Sequence, residues 1–288
     1  MSLPSLNLPN VVYVGTDKAG SSWLYELCNA HPDVFVPPLK DIYFFDRHWR
    51  RGLAWYSSFF AERSAESVSI EICHDYLYSR EALERIRETV PDCRILIFLR
   101  EPVARTKSSY GYAQKFARRA PESLTSFADS VPSVIDNSRY AEPITDVLEV
   151  FAAEDVGVFF FEDLKASPER FAAAVCAFLG IDPPAELPGA VNAAGLPRWP
   201  MLVGAARSVG QWMRRAGLER IVGAVKNSTV VAAMKSGSRD AAWTEEDATF
   251  ARSQLQDAPQ EALDLLTEAG LAAGESIPDE WLVTHSRS

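Results

Sequence analysis

The chain has 288 residues and a formal net charge of −10 at pH 7. This balance argues against a broad surface for nucleic acid or anionic membranes, so an anionic ligand must be held by local cations and main-chain amides. The widely spaced cysteines form no CxxC pair and no Cys/His cluster, which predicts reduced thiols and no metal site. No apolar run reaches membrane-spanning length, and the N-terminal segment lacks the pattern of a signal peptide, so we expect a cytoplasmic protein.

Short apolar runs rich in β-branched and aromatic residues predict buried parallel strands. They cover residues 11–15, 68–72, 94–99 and 156–161. Helical patterns lie between them: Ser79 is a predicted N-cap for residues 80–90, and Gly180 is the predicted end of a helix over 168–179. Strands that alternate with helices predict an α/β fold, with a central parallel sheet flanked by helices.

The C-terminal third has a different character. A proline-rich segment is followed by residues 201–236, which have a helical pattern rich in arginine and lysine. The basic side chains over 207–226 are typical of a solvated helix face. The alternative is that they contact an anionic ligand. A capping-box spacing predicts a last helix that starts at Thr244. We interpret the whole chain, 1–288, as a single domain, with a core over about 10–182 and a helical cover over about 183–288.

The most informative segment joins the first strand to the next helical pattern and reads VVYVGTDKAGSSW over residues 11–23. A strand, a glycine-containing loop and a helix N-terminus make an anion site, because the first N–H groups of a helix have no partners within it. The spacing from Gly15 to Gly20 resembles a Walker A loop. A nucleotide-hydrolysing loop would continue with Lys and Ser/Thr, whereas this loop continues with two serines and carries its lysine earlier, at Lys18. It suits a phosphate but lacks the groups that grip a triphosphate and its metal.

A second segment, residues 94–110, places an arginine where a strand ends. The carboxyl ends of parallel strands face the ligand crevice of an open α/β sheet, and the planar guanidinium of Arg100 is suited to a phosphate there. Ser108 lies eight positions on, within reach of the same anion if the chain turns back. The alternative is a structural ion pair between Arg100 and Glu101 or Asp163.

Taken together, these segments resemble the sulfotransferases that use 3′-phosphoadenosine 5′-phosphosulfate (PAPS). The resemblance rests on Lys18-Ala-Gly-Ser-Ser-Trp23 and on Arg100-Glu-Pro-Val-Ala-Arg105 followed by Ser108. Looser matches are KDIYFFD at 40–46 and FEDLKASPERF at 161–171. The resemblance covers about residues 10–182 and implies a P-loop nucleotide-binding-like sulfotransferase fold.

The resemblance also implies roles for individual residues. Loop amides and serine hydroxyls would hold the 5′-phosphate, Lys18 would stabilise charge that develops on the bridging oxygen, and Arg100 with Ser108 would hold the 3′-phosphate. Trp23 would stack on adenine, or instead pack the first helix. No metal is required, because the transferred sulfuryl group carries less charge than a terminal phosphate. The implied donor-binding residues are Lys18, Ala19, Gly20, Ser21, Ser22, Trp23, Arg100 and Ser108.

The acceptor hydroxyl needs a base, and two residues are candidates. Asp41 occupies the position of a glutamate in the carbohydrate-type branch of the family, while His74 follows a predicted strand and has a suitable ordinary pKa. Each has a structural alternative: a helix cap or a partner for Lys40 in the case of Asp41, and a buried hydrogen-bonded ring in the case of His74. Glu71 is a candidate to orient Lys40 or His74.

The predicted reaction is transfer of a sulfuryl group from PAPS to a hydroxyl of a small-molecule, lipid or carbohydrate acceptor. A P-loop phosphotransferase such as a nucleotide kinase is the first alternative, although Ser21 stands where such an enzyme needs lysine. A catalytically degenerate member of the family that keeps only nucleotide binding is the second, because aspartate replaces glutamate at position 41.

Overall fold

A computed structural model describes residues 6–116, 121–189, 243–271 and 277–282. Its centre is one sheet of five parallel strands in the order β2-β3-β1-β4-β5. The strands are β1 Val11–Gly15, β2 Val34–Phe35, β3 Val68–Ile72, β4 Arg94–Leu99 and β5 Val156–Phe160. The predicted parallel sheet is therefore confirmed. The strand that sequence reasoning missed, β2, is too short to show a pattern.

Helices cover both faces of this sheet. They are α1 Ser21–Ala30, α2 Leu53–Ser57, α3 Arg80–Thr89, α4 Pro102–Phe116, α5 Leu124–Ser130, α6 Ser133–Asp136, α7 Ala141–Val150, α8 Phe161–Ala166, α9 Pro168–Leu179, α10 Glu245–Gln254, α11 Ala258–Glu268 and α12 Asp279–Leu282. A π-helical turn, Phe44–His48, lies in the connection between β2 and β3. In the described part of the chain, no helix is long and apolar enough to cross a membrane.

Successive residues of the strands enter two different cores. Val12 and Val14 belong to a cluster that includes α3, α7 and α11, whereas Val11 and Tyr13 belong to one that includes α1 and α9. Each strand is buried on both faces, which explains the nearly continuous apolar runs. Polar residues that follow the strands are therefore collected at one edge of the sheet.

The predicted helix boundaries are confirmed by their caps. The Ser79 hydroxyl accepts a hydrogen bond from the amide of Ala82 at the start of α3. Gly180 ends α9 in the left-handed region at φ 73°. Thr244 and Asp247 form the reciprocal capping box of α10. The predicted helices over 201–236, with their basic residues, lie outside the described residues.

Gly15 ends β1 where the chain has no room for a side chain. A Cβ atom at this position would lie 2.7 Å from the Cβ of Leu77 and 3.1 Å from the carbonyl oxygen of His74. We expect Gly15→Ala to lower the free energy of unfolding by about 1–3 kcal/mol, because overpacked sites force the backbone to shift. Chemical denaturation measures this change. Gly189→Ala is the control, since no atom of the described residues lies within 4 Å of a Cβ there; equal stability of the two variants would contradict the prediction.

Candidate active site

The loop between β1 and α1 leaves a helix N-terminus open at the carboxyl edge of the sheet. Gly20 is the N-cap of α1 at φ 103°, and no side chain of the described residues caps this helix. A Cβ atom at Gly20 would come within 3.2 Å of Phe161 and Leu164, so the loop is packed closely against α8. The first amides of α1 are therefore held in place without a protein acceptor from a capping side chain, which is the arrangement that binds anions.

Lys18 lies in this loop, and its ammonium group is partly removed from water. Burial lowers the pKa of Lys18 to about 8; the charge of Asp17 opposes this, and those of Arg105, Lys40 and Arg100 add to it. The Nζ atom sits 3.6 Å from the ring centroid of Tyr112 on α4. Three other cations thus raise the electrostatic potential at Lys18, and an anion bound here would relieve their repulsion.

Arg100 follows β4 directly and meets the same loop. Its Nη1 donates to the carbonyl oxygen of Lys18 at 3.0 Å, while its Nε is buried and has no hydrogen-bond partner among the described residues. The suggested ion pair with Glu101 does not form, because that carboxylate caps α4 by accepting from the amides of Val103 and Ala104. Ser108 is half-buried on α4, which begins two residues after Arg100.

Arg105 does not face the open site but fixes the loop from behind. Its side chain is 1% exposed, and its Nη2 and Nε donate to Oδ1 of Asp17 at 2.5 and 3.1 Å. Its Nη1 donates to the carbonyl oxygen of Val134 at 3.0 Å. A buried guanidinium therefore joins the loop to α4 and α6.

Lys40 enters the site from the connection between β2 and β3. Its Nζ donates to the hydroxyl of Ser22 at 2.9 Å and lies 3.4 Å from that of Ser21. The two serines are the first residues of α1. An ammonium group thus reaches the helix N-terminus from a different segment than the loop lysine.

Asp41 and His74, the two candidate bases, form one hydrogen-bonded pair. The distance between Oδ1 of Asp41 and Nδ1 of His74 is 2.7 Å. The amide of Asp41 donates to the carbonyl oxygen of Ile72 at 2.8 Å, which ties it to the end of β3. Oδ1 of Asp75 lies 3.3 Å from Nε2 of the same imidazole. Burial lowers the pKa of His74, but the hydrogen bond and charge of Asp41, followed by the charge of Asp75, outweigh it and raise this pKa above its ordinary value.

Aromatic side chains lie beside the Asp41–His74 pair. The ring of Tyr43 meets that of His74 edge to face, with 6.1 Å between centroids. The guanidinium of Arg47 lies 3.9 Å over the Tyr43 ring and pairs with Asp75. Tyr43, like Asp41 and Lys18, is a non-glycine residue with positive φ. Such backbone costs free energy and is concentrated at functional sites, so all three residues point to this edge of the sheet as the site.

Glu71 does not orient Lys40 or His74, as the sequence suggested. It is fully buried, and its carboxylate accepts hydrogen bonds from Tyr56 and, at 2.7 Å, from Tyr76. The Tyr76 hydroxyl in turn accepts from the amide of Phe44 at 2.7 Å. Burial raises the pKa of Glu71 to about 7. Glu71 therefore supports the π-helical turn that follows Tyr43.

Trp23 packs inside the protein. It is 6% exposed and meets Phe171 edge to face at 5.6 Å between centroids. This favours the packing alternative over contact with an adenine ring. His31 likewise serves a turn, since its Nδ1 accepts from the amide of Asp33 at 3.1 Å.

The site therefore collects four of the predicted groups at one edge: the loop with Lys18, the serines of α1, Arg100, and the Asp41–His74 pair. Sequence reasoning missed three contributions, from Lys40, Asp17 and Tyr112. Lys40 precedes a candidate base and Asp17 precedes the loop lysine, but neither neighbourhood indicates which distant group the side chain contacts. A parallel sheet whose first strand leads through a glycine-containing loop to an open helix N-terminus is the arrangement of P-loop-like folds.

The chain belongs to the sulfotransferase domain family, which matches it over residues 8–191. Among curated relatives, mouse heparan sulfate glucosamine 3-O-sulfotransferase 3B1 is 33% identical over 138 residues, which cover 46% of this chain and 34% of that protein. Mouse heparan sulfate glucosamine 3-O-sulfotransferase 6 is 29% identical over 184 residues, which cover 60% of this chain and 52% of that protein. The chain thus spans between about a third and a half of the length of these relatives.

Solved structures share the fold. A sulfotransferase from Alicyclobacillus acidocaldarius superimposes with a TM-score of 0.58 at 24% identity and covers 75% of this chain and 96% of its own. Mouse sulfotransferase SULT7A1, solved as a complex with PAP, gives a TM-score of 0.50 at 16% identity over 91% of this chain and 88% of its own. The P-loop-like sulfotransferase fold expected from the sequence is confirmed.

The pair of Asp17 and Arg105 provides a stability test. We expect Asp17→Asn to lower the free energy of unfolding by about 3 kcal/mol, because it leaves the buried guanidinium without a counter-charge. The control is Asp136→Asn, which removes a pair with Arg139 that is 3.8 Å apart and about half exposed; it should change stability by less than about 0.5 kcal/mol. Denaturation curves that coincide for the two variants would contradict this account of the loop.

The raised pKa of His74 provides a pH test. Because the folded state binds this proton more tightly than the unfolded chain, the stabilisation is complete below the ordinary pKa of about 6.5 and is lost as the pH rises through the higher folded value. We expect the difference in unfolding free energy between the wild type and His74→Gln to be larger near pH 6 than near pH 9. In an Asp41→Asn background this pH dependence should shrink. A difference that grows with pH would refute the assigned interaction.

Proposed function

We propose that this protein transfers a sulfuryl group from PAPS to a hydroxyl group of a small-molecule, lipid or carbohydrate acceptor. Membership of the sulfotransferase family supports the reaction class. The observation that carries the proposal is Arg100, whose buried Nε has no partner in the described part of the chain and lies beside an uncapped helix N-terminus. Two anion sites at one edge of the sheet suit a nucleotide with two separate phosphates.

The donor side follows from these groups. The amides of residues 19–23 and the hydroxyls of Ser21 and Ser22 bind the 5′-phosphate, and Arg100 with Ser108 binds the 3′-phosphate. The orphaned Nε of Arg100 fits this role, since an unsatisfied buried cationic donor is costly until an anion reaches it. Lys18 stabilises the negative charge that grows on the bridging oxygen as the sulfuryl group leaves.

The acceptor side follows from the Asp41–His74 pair. The pair takes the proton of the attacking hydroxyl and shares it across the 2.7 Å hydrogen bond. Since sulfuryl transfer resembles phosphoryl transfer, the remaining contribution of the chain is to position two substrates and stabilise charge.

The two alternatives make different demands on the site. A kinase needs a lysine at position 21 to hold a triphosphate, and the residue there is serine. A degenerate binder needs a base that is absent or misplaced, whereas Asp41 and His74 are in direct contact. The site therefore favours an active transferase over both.

Ligand-dependent melting and turnover together test this proposal. We expect adenosine 3′,5′-bisphosphate (PAP) to raise the melting temperature of the full chain, because it binds only the folded state. ATP with magnesium should have a smaller effect. Arg100→Gln should reduce the shift, while Asp41→Asn combined with His74→Gln should retain it and lose at least about 100-fold in sulfate transfer from labelled PAPS to hydroxylated acceptors.

Each alternative would give a distinct result. Stabilisation by ATP and magnesium alone would favour a kinase. Binding of PAP with no transfer by the wild type to any phenol, alcohol, lipid or sugar tested would favour a degenerate member. Normal transfer by the Asp41/His74 double variant would show that the proton goes elsewhere.

A further inference from the structure

Tyr112 is a large aromatic side chain that stays exposed beside the loop after β1. The residue is 46% exposed, and the Nζ atom of Lys18 lies 3.6 Å from the centroid of its ring. Residues four positions apart on an α-helix share a face, so Tyr112 lies one turn beyond Ser108 on the same side of α4. The helix that carries the proposed ligand of the 3′-phosphate thus also carries a ring that meets the loop lysine.

The surroundings of the Lys18 ammonium group oppose its charge. The pKa of Lys18 is lowered to about 8, first by burial and then by the charges of three cations, Arg105, Lys40 and Arg100. The charge of Asp17 opposes this lowering, but the same carboxylate accepts hydrogen bonds from Nη2 and Nε of Arg105 at 2.5 and 3.1 Å. A lysine with this pKa loses its proton over the mildly alkaline range.

The face of an aromatic ring favours such a cation, because the π-electrons place the negative part of the ring quadrupole there. From the contact with Lys18 we propose that Tyr112 is a positioning residue, whose ring face keeps the ammonium group protonated and in place beside the donor. The inference rests on the proposed function, in which Lys18 stabilises the leaving oxygen. Unlike a carboxylate, the ring stabilises the cation without adding a net negative charge that would repel the phosphosulfate.

This role involves no change of bonds at Tyr112. During transfer the bond between sulfur and the bridging oxygen breaks, and its electron pair stays on the 5′-phosphate. Sulfur bonds to the acceptor oxygen, whose proton passes to the Asp41–His74 pair. Lys18 stabilises the leaving oxygen only while it carries its own proton. The rate should therefore fall as the pH rises through the pKa of Lys18, and the ring raises the pH at which this happens.

The pH dependence of transfer tests the role of the ring. Release of labelled sulfate from PAPS, with water as the acceptor, measures the rate without an identified acceptor. Tyr112→Leu leaves the ammonium form less stable, so we expect the alkaline midpoint of kcat to move about one pH unit lower. Near pH 9 its kcat should be about 10-fold below that of the wild type, whereas near pH 6.5 the two values should agree within about 2-fold.

A direct titration measures the same effect without turnover. In protein that carries isotope-labelled lysine, the NMR signal that is lost in Lys18→Arg belongs to Lys18 and reports its pKa. We expect this pKa to be about 1 lower in Tyr112→Leu than in the wild type. Tyr112→Phe keeps the ring face and should restore both the pKa of Lys18 and the alkaline midpoint of kcat.

Leu6→Ala is the matched control. It removes a side chain that is 44% exposed and precedes β1, toward the opposite end of that strand from the loop. We expect it to change neither the pKa of Lys18 nor the alkaline midpoint. Melting temperatures of all variants establish that each one folds.

Three outcomes would overturn the inference while the proposed function stands. The first is a pKa of Lys18 and an alkaline midpoint that are both unchanged in Tyr112→Leu. The second is a kcat that falls by the same factor at every pH, which indicates a structural defect. The third is a Tyr112→Phe variant as defective as Tyr112→Leu, which would assign the effect to the hydroxyl. A wild-type protein that neither binds PAP nor releases sulfate from PAPS would instead refute the proposed function, and the NMR titration would still decide whether the ring stabilises the Lys18 cation.

Discussion

The uncapped N-terminus of α1 is the feature on which the rest of the site depends. Gly20 provides the positive φ that starts the helix and supplies no side chain to satisfy its first amides. These amides lie at the carboxyl edge of a parallel sheet, where the polar residues that follow the other strands also lie. Arg100 reaches the edge from β4, and Lys40 reaches it from the connection before β3. The charges of Lys18, Lys40 and Arg100 therefore lie close enough to influence one another beside the open helix terminus.

Because the chain has an overall charge of −10, we expect it to bind an anion at this local site rather than over a broad surface. An acidic protein gains little from nonspecific contact with polyanions, so affinity for an anion must come from geometry. The Asp17–Arg105 pair contributes to that geometry by fixing the loop from behind. Asp17 and Arg105 neutralise each other in holding the loop, and in the proposed complex Lys18, Lys40 and Arg100 face the ligand.

The sequence predicts the local structure of the proposed donor site better than the contacts of the proposed acceptor site, for a physical reason. The cradle is contiguous: strand, loop and helix start lie within residues 11–23, and caps at Ser79, Gly180 and Thr244 are equally local. The acceptor side is assembled from segments far apart in the chain. Whether Asp41 pairs with Lys40 or with His74 depends on where β3 ends relative to the preceding connection, and sequence spacing does not contain that distance.

The dependence of side-chain contacts on the packing of distant segments also explains why Glu71 and Trp23 differ from their predicted roles. Glu71 lies on β3, three residues before His74, yet it faces Tyr56 and Tyr76 in the core because strand residues alternate between faces. Trp23 begins a helix at an anion site, yet its position on α1 turns it toward α9. In both cases the direction of the side chain follows from the packing of the sheet rather than from local pattern.

A crystal structure of the protein with PAP tests the central claim most directly. The account predicts that the 5′-phosphate oxygens accept hydrogen bonds of about 3 Å from the first amides of α1, and that the 3′-phosphate lies against Arg100 with its Nε now satisfied. Nucleotide density at any other place, with the α1 terminus and Arg100 both free of phosphate, would contradict it.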